Sequence, residues 1–245
     1  MLVRNVPLPP QELIFMDRDP EQGFRMGLHL TDHLRARGAN IRDGVFLDIG
    51  CGWGRLAFGL LERGFVGRYV GFDILKDRVD WLKQEFSARQ NNYEFNHVDV
   101  ANDRYNKSGG TEDVRLDLML KNDTAETVTL LSVFTHLYPE DVVNYLHKIR
   151  MVVNKDSKLF FTCFIYDGIA ETGKKVAAPR FTFPNILNAE SRYETASDPL
   201  HAIAYTTGFI QSAMKEAGFA GTIFPGSWSG LKAEQVQDWI VARPI

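Results

Sequence analysis

The stretch FLDIGCGWGR occupies residues 46–55. Its apolar beginning runs into a carboxylate at Asp48, and glycines follow at alternate positions, Gly50, Gly52 and Gly54. Glycine adopts positive φ without steric cost and lets other groups approach the main chain closely. In an open α/β sheet, a glycine-rich turn between a strand and a helix lies where ligands bind, and the amides at the helix start favour an anionic group. The stretch therefore predicts a strand, a ligand-binding turn and a helix.

Short apolar runs alternate with helical patterns along the rest of the chain. The runs are rich in β-branched and aromatic residues, as buried strands are. They cover residues 44–50, 68–74, 93–100, 127–134 and 158–166. Strands that alternate with helices imply right-handed crossovers and a parallel sheet. The segments GTIFPGSW and VQDWIVAR predict a terminal strand pair with one reversed strand. We expect a doubly wound α/β fold with helices on both faces, whose mostly parallel seven-stranded sheet has one antiparallel C-terminal strand.

Two regions stand outside this alternation. Residues 1–40 hold a proline-rich entry and a helical stretch, and we interpret them as an N-terminal extension on the substrate side. Residues 167–205 form a long connection with little clear periodicity, and long connections often act as lids or binding loops. We therefore expect a single domain over residues 41–245, with residues 167–205 as a lid or substrate-binding insertion.

Composition limits the class of protein. The 245 residues are 44% hydrophobic, and their formal net charge is -3 without a long run of one sign. This balance predicts neither a nucleic-acid partner nor an anionic membrane partner. The two cysteines do not imply a disulfide framework, and the histidines show no spacing typical of metal ligands. Prolines stand where a signal peptide would have its apolar region, so we expect a cytoplasmic protein without a metal.

Two common nucleotide motifs are excluded by the spacing of the glycines. A dinucleotide fingerprint that starts at Gly50 would need glycine at position 55, where the chain has Arg55. A phosphate-binding loop would need a Gly-Lys-Ser/Thr sequence, which does not follow. A carboxylate at the strand end suits an ammonium group better than a pyrophosphate.

Four motifs in order resemble the class I S-adenosylmethionine-dependent methyltransferases, and in particular those that act on small molecules. They are DIGCGWG at the first strand, GFDI at the second, HVDV at the third and SVFTHLYPEDVVNYLHKI after the fourth. The resemblance implies a Rossmann-like fold, S-adenosylmethionine as methyl donor and S-adenosylhomocysteine as product. The turn before the fifth strand, NKDSK, departs from the family pattern without touching the cofactor motifs.

The resemblance and the chemistry of the cofactor assign the binding roles. Asp48 would bind the ammonium of the cofactor, directly or through water. Asp73 would accept hydrogen bonds from both ribose hydroxyls. Ile74 would flank the adenine, Asp99 would accept from its amine, and the Val100 amide would meet a ring nitrogen. The full set of predicted cofactor-binding residues is Asp48, Gly50, Cys51, Gly52, Gly54, Arg55, Asp73, Ile74, Asp99, Val100 and Ser132.

Several of these residues could instead have a purely structural role. The glycines can form a plain tight turn, Asp73 can cap the next helix and Asp99 can form an Asx turn. Arg55 can bind the cofactor carboxylate or pair at the surface. The carbonyl of Ser132 is a further candidate for the ammonium, and we expect Trp53 to lie over the entering chain.

The catalytic prediction concerns His136, with Tyr166 and Asp167 as further candidates. Methyl transfer requires alignment of the acceptor, and a protein base is needed only when the acceptor is a hydroxyl. His136 follows the fourth strand and titrates near neutral pH, so it can act as this base or anchor its loop.

We expect a small-molecule acceptor, first a hydroxyl on a sugar or metabolite. An N-methyltransferase or a protein methyltransferase is a second enzymatic hypothesis. A non-catalytic module that binds S-adenosylmethionine is a hypothesis from a different functional class. The sequence makes no prediction about the oligomeric state.

Overall fold

The computed structural model describes residues 2–14, 17–110, 120–121 and 123–245. The chain divides into two compact units, formed by residues 1–101 with 108–128 and by residues 102–107 with 129–245. Within the described ranges, no helix has the length and apolar composition needed to cross a membrane.

The first unit begins with a short hairpin and continues as alternating helices and strands. Its elements are β1 (Leu2–Val3), β2 (Val6–Pro7), α1 (Pro20–Ala36), β3 (Val45–Ile49), α2 (Arg55–Glu62), β4 (Arg68–Asp73), α3 (Lys76–Leu82) and β5 (Tyr93–His97). The strands β5, β4 and β3 lie side by side in that order and run parallel. Asp48 lies opposite Gly71, and Asp73 lies opposite His97. The three strands predicted here are confirmed, and their carboxyl ends share one edge.

Helix α1 packs directly on α2 through glycine. A Cβ on Gly59 would lie 2.3 Å from the carbonyl oxygen of Gly27, and a Cβ on Gly27 would lie 2.1 Å from that of Arg55. Any larger residue would force the two backbones apart. The N-terminus of α1 is fixed by Asp19, whose carboxylate accepts a hydrogen bond of 2.7 Å from the Gln22 amide. The predicted N-terminal helical stretch is thus part of the first unit.

The second unit contains the remaining strands. Strand β6 (Thr127–Leu130) spans the point where the chain passes from the first unit to the second. The elements that follow are α4 (Pro139–Met151), β7 (Lys158–Ile165), α5 (Ile169–Thr172), β8 (Asn185–Ile186), β9 (Ser191–Thr195), β10 (Asp198–Tyr205), α6 (Thr207–Glu216), β11 (Phe219–Phe224) and β12 (Asp238–Pro244). Pro139 begins α4 as predicted.

The terminal strands β11 and β12 are antiparallel to each other, and β12 is antiparallel to β7, as predicted. The long connection differs from the expectation, because it contains the strands β8, β9 and β10. Strand β10 pairs parallel with the end of β7 and antiparallel with β9. The described strands therefore outnumber the expected seven. Pro199 lies in β10 and argues against a strand in the sequence, and the pairing of β10 with β9 shifts register between Asp198 and Ile203. The fold class itself, a Rossmann-like α/β fold with a mostly parallel sheet, is confirmed.

A buried carboxylate holds the place where β7 changes partner. Residues 159–163 of β7 pair with β12, and the next two residues pair with β10. Asp238 lies at this junction and accepts hydrogen bonds from the amides of Ile165 and Gly226, both at 2.7 Å, and from the indole of Trp228 at 2.8 Å. Burial raises the pKa of the Asp238 carboxyl from 3.8 to about 6.

The turn after β6 is tied to β10 by two side chains. The hydroxyl of Tyr205 lies 2.6 Å from the carbonyl oxygen of Phe134 and 2.7 Å from that of Leu137. Nδ1 of His136 lies 2.8 Å from the carbonyl oxygen of Leu200. Because a carbonyl only accepts, the hydrogen of the neutral ring is on Nδ1. Burial lowers the pKa of His136 from 6.5 to about 4.

These two pKa shifts have opposite effects on stability in the same pH range. Between pH 3.8 and about 6, Asp238 binds a proton more tightly in the folded protein, so its contribution falls as the pH rises. His136 binds a proton less tightly in the folded protein, so its contribution is complete above pH 6.5 and is lost as the pH falls towards about 4. Each full shift corresponds to about 3 kcal/mol, so the two slopes largely offset each other.

We predict that Asp238→Asn makes the protein more sensitive to acid. In this variant the loss of stability that His136 causes as the pH falls is no longer offset by a gain from Asp238. His136→Asn, which keeps an N–H donor for Leu200, should instead lose stability as the pH rises from about 4.5 to about 6. Urea unfolding at both ends of this range measures the free energy of unfolding for wild type and each variant. Parallel pH profiles for all three proteins would contradict the prediction, whatever their absolute stabilities.

Candidate functional site

The glycine turn after β3 has a backbone that only glycine adopts freely. Gly50, Gly52 and Gly54 have φ values of 74°, 56° and 89°, in the left-handed region. The amides of Gly50 and Cys51 donate to the carbonyl oxygen of Phe72 at 2.9 and 3.0 Å. A Cβ on Gly52 would meet no atom within 4 Å. The turn therefore leaves open space beside its backbone.

Asp73, the last residue of β4, connects this turn to the next strand. One carboxylate oxygen accepts the Gly52 amide at 2.7 Å, and the other accepts the Leu75 amide at 2.9 Å. The second contact is a bond to the amide two residues on, before α3 begins, so Asp73 does not cap this helix; the first contact holds the glycine turn. Burial raises the pKa of Asp73, and these backbone amides partly oppose the shift. One side chain thus holds both the glycine turn and the backbone just before α3.

Asp48 and Cys51 lie close to Asp73 in the interior. The hydroxyl of Tyr69 donates to the buried carboxylate of Asp48 at 2.6 Å. Sγ of Cys51 lies 3.1 Å from the place that a Cβ on Gly71 would take. Burial raises the pKa of the Cys51 thiol well above its ordinary value, and the charges of Asp73 and Asp48 raise it further. The thiol is therefore neutral, and Cys51 fills the space that the small residue of β4 leaves.

The predicted adenine contacts follow the ends of β4 and β5. Ile74 is half-buried, and Asp99 is exposed two residues beyond the end of β5. One carboxylate oxygen of Asp99 accepts the Gly110 amide at 3.2 Å. Val100 is half-buried beside it. Because β4 and β5 are parallel, these residues follow strand ends at one edge, and their roles toward adenine stay predictions.

Arg55 forms an ion pair with Asp17, a residue of the N-terminal segment. Nη1 of Arg55 lies 3.5 Å from Oδ1 of Asp17, just before α1. Trp53 is buried, and a Cβ on Gly23 of α1 would lie 2.4 Å from its ring. The prediction that Trp53 lies over the entering chain agrees with this contact. The N-terminal segment therefore covers the side chains that follow the glycine turn.

Ser132 and the catalytic candidates belong to the second unit. Ser132 has a φ of 60°, its amide donates to Oγ1 of Thr162 at 2.8 Å, and its hydroxyl donates to Gln237 at 3.0 Å. Its assignment to the cofactor ammonium stays a prediction.

The three catalytic candidates differ in how their side chains are held. His136 has the anchoring contact to Leu200, and its Nε2 keeps the lone pair of the neutral ring. Oδ1 of Asp167 accepts both the amide and the hydroxyl of Thr207 at 2.7 Å, which fixes the start of α6. The ring of Tyr166 is half-buried, with the Arg192 guanidinium 4.7 Å from its centroid. The catalytic roles of all three residues stay predictions.

Sequence reasoning missed Tyr69, Gly71 and Asp17. The first two share one face of β4 with Asp73, and the alternation in YVGFD could have indicated this face. Asp17 has no motif that would have singled it out.

The carboxylates and the glycine turn of the first unit fit S-adenosylmethionine. Two buried carboxylates suit its ammonium, sulfonium and ribose hydroxyls, and the open space at Gly52 suits a group that lies against the backbone. Among the residues that the structure describes, no three His, Cys, Asp or Glu side chains are grouped as a metal site.

Comparison with known proteins agrees with this interpretation. Residues 46–156 match the family described as "Methyltransferase domain". The glycopeptide N-methyltransferase MtfA complexed with S-adenosylmethionine is similar in fold, with a TM-score of 0.59 and 13% identity over 89% of this chain and 94% of that chain. Magnesium protoporphyrin IX methyltransferase (ChlM) from Synechocystis PCC 6803 with bound S-adenosylmethionine has a TM-score of 0.51 and 15% identity, over 91% and 79% of the two chains.

A third solved structure, the PH0226 protein from Pyrococcus horikoshii OT3, has a TM-score of 0.58 and 16% identity, over 100% of this chain and 96% of that one. At these identities the similarity establishes the fold alone, and the matched domain is one described for methyltransferases. The chain thus contains a methyltransferase domain over residues 46–156 and has the Rossmann-like fold of solved S-adenosylmethionine-dependent methyltransferases.

Proposed function

We propose that the enzyme methylates a hydroxyl group of a small molecule, with the cofactor held by the first unit and the proton accepted by His136. The observation that carries the cofactor assignment is the glycine turn, whose Gly52 amide is held by Asp73 and whose backbone borders open space. The cofactor, when bound, supplies an electrophilic methyl group on its sulfonium. The residues of the chain bind the cofactor, orient the acceptor and accept its proton.

Asp73 has the capacity to bind the ribose. Each of its oxygens accepts one backbone amide, and a carboxylate offers about four lone-pair sites in all. The remaining sites can accept two neighbouring hydroxyl groups. Since the amides fix the carboxylate, little conformational entropy is lost when the hydroxyls bind.

Asp48 and the glycine turn are assigned to the methionyl end. Asp48 is buried next to the turn and is oriented by Tyr69, which donates to one of its oxygens. Gly50, Gly52 and Gly54 let the main chain approach, and the amides at the start of α2 favour a carboxylate. Asp99, Val100 and Ile74 are assigned to the adenine.

The proposal of a hydroxyl acceptor is supported by the state of His136. Its hydrogen is on Nδ1, held by Leu200, so Nε2 is a proton acceptor. With a pKa of about 4 the ring is neutral at physiological pH, but it is a weak base. Such a group accepts the proton as the new C–O bond forms, rather than before. An amine acceptor in its neutral form would need no base.

An aromatic cluster in the second unit supports a small, partly apolar acceptor. Phe164, Phe183 and Trp228 form its buried part, while Tyr166 and Phe181 are only partly buried. The partly buried rings offer faces on which a sugar ring or an aromatic metabolite can stack.

N-methylation is the second candidate, because the glycopeptide N-methyltransferase MtfA has the same fold. A screen of hydroxyl, amine and protein acceptors with labelled S-adenosylmethionine separates the two candidates. Transfer to an amine or to a protein would replace the hydroxyl proposal. Cofactor binding without transfer to any acceptor would indicate a non-catalytic role.

We predict that S-adenosylhomocysteine binds and that Asp73→Ala weakens its binding by about 1.5 to 3 kcal/mol, the range for hydrogen bonds to a charged group. Asp80→Asn, an exposed position on α3, is the matched control and should bind like wild type. Calorimetry measures the affinities, and the melting temperature without ligand reports the fold of each variant. An affinity that Asp73→Ala leaves unchanged would remove Asp73 from the ribose site.

We predict that His136→Ala lowers turnover by about 10² to 10⁴ and leaves S-adenosylhomocysteine affinity nearly unchanged. His136→Asn keeps the donor towards Leu200 without a base, so it should fold like wild type and still lose turnover. The control is His147→Asn at an exposed position of α4. Full turnover in His136→Asn would show that the ring only anchors its loop.

A further inference from the structure

Asp17 has a carboxylate oxygen that the fold leaves unsatisfied. Its side chain is only 6% exposed. Oδ2 is buried and has no hydrogen-bond partner among the residues that the structure describes. A buried carboxylate oxygen without a donor is unfavourable, because it has lost its hydration without a replacement. Such an atom in a native protein requires an explanation, and a bound ligand is one.

The other oxygen of Asp17 is only loosely paired. Oδ1 lies 3.5 Å from Nη1 of Arg55, whereas charge-assisted N–H···O bonds are about 2.7 to 2.9 Å long. The Arg55 side chain is itself 25% exposed. The two side chains therefore attract each other through their charges but form no short hydrogen bond, which leaves acceptor capacity on Asp17 and N–H donors on Arg55.

The unsatisfied oxygen lies beside the glycine turn. A Cβ on Gly23 would lie 3.0 Å from Oδ2 of Asp17 and 2.4 Å from the ring of Trp53. Trp53 is inside the turn and Arg55 directly follows it. Asp17, Trp53 and Arg55 thus meet at the end of the turn, next to the α2 N-terminus.

We infer that Asp17 and Arg55 together bind the zwitterionic amino-acid group of the cofactor, Asp17 Oδ2 accepting from its ammonium and Arg55 donating to its carboxylate. The inference rests on the proposed assignment of the glycine turn to the methionyl end, and it adds a contact from the N-terminal segment. The negative Asp17 faces the ammonium and the positive Arg55 faces the carboxylate, so binding buries no net charge. The ammonium has three N–H donors, so this contact does not exclude Asp48.

The test compares ligands that differ only at this end. S-Adenosylhomocysteine carries the amino-acid group, and 5′-methylthioadenosine has the same thioether nucleoside without it. Asp17→Asn should weaken S-adenosylhomocysteine about 10- to 100-fold and leave 5′-methylthioadenosine within about twofold of wild type. Glu21→Gln, an exposed acid in the first turn of α1, is the matched control and should change neither affinity.

A second variant separates the two charges. Decarboxylated S-adenosylmethionine keeps the ammonium and lacks the carboxylate, so Asp17→Asn should weaken its binding and Arg55→Gln should not. Arg55→Gln should weaken S-adenosylhomocysteine. Calorimetry with each purified variant gives the dissociation constants without any need for an acceptor.

Two results would overturn the inference while the proposed function stands. If Asp17→Asn leaves S-adenosylhomocysteine affinity unchanged, Asp17 does not touch the ammonium. If it weakens both nucleosides equally, Asp17 only shapes the turn. If wild type binds neither ligand, the proposed cofactor site fails and this inference fails with it.

Discussion

The hydrogen bond from the Gly52 amide to the Asp73 carboxylate is the contact on which the site depends. A turn with left-handed residues at alternate positions directs its amides away from any regular ladder, so acceptors must come from elsewhere. The end of β4 supplies them: the Phe72 carbonyl takes two amides and Asp73 takes the third. The shape of the turn is therefore fixed by the neighbouring strand before any ligand arrives, which is what efficient binding requires.

The same arrangement places two carboxylates in the buried interior beside the glycine turn. Asp48 and Asp73 are both buried, and the raised pKa of Asp73 expresses the cost of its burial. Tyr69 and the backbone amides compensate part of this cost with dipoles. A bound cation would reduce this desolvation cost further. The buried carboxylates therefore lower the stability of the ligand-free protein and favour the binding of a cation. At the other end of the turn, the buried and unsatisfied oxygen of Asp17 also carries a desolvation cost that a bound cation would reduce.

Local sequence patterns were sufficient for most of the framework. The glycine spacing, the apolar runs of the first unit and Pro139 predicted elements that the structure contains, because each depends on propensities of neighbouring residues. The strands β8, β9 and β10 were missed; β8 has only two residues, and Pro199 within β10 argues against a strand in the sequence. Contacts between distant residues, such as Arg55 with Asp17 or Cys51 with Gly71, depend on packing that no local pattern encodes. For the same reason, the sequence could nominate His136 but not its low pKa, which arises from burial.

The glycine contact between α1 and α2 determines how the N-terminal segment can move. With the backbones of Gly27 and Gly59 touching, α1 cannot slide or rotate on α2 without a collision, so the two helices behave as a rigid body. Asp17 precedes α1 and Arg55 begins α2, so the ion pair between them links the segment before α1 to this two-helix body. The position of Asp17 beside the glycine turn therefore depends on two helices that are fixed to each other by backbone contact.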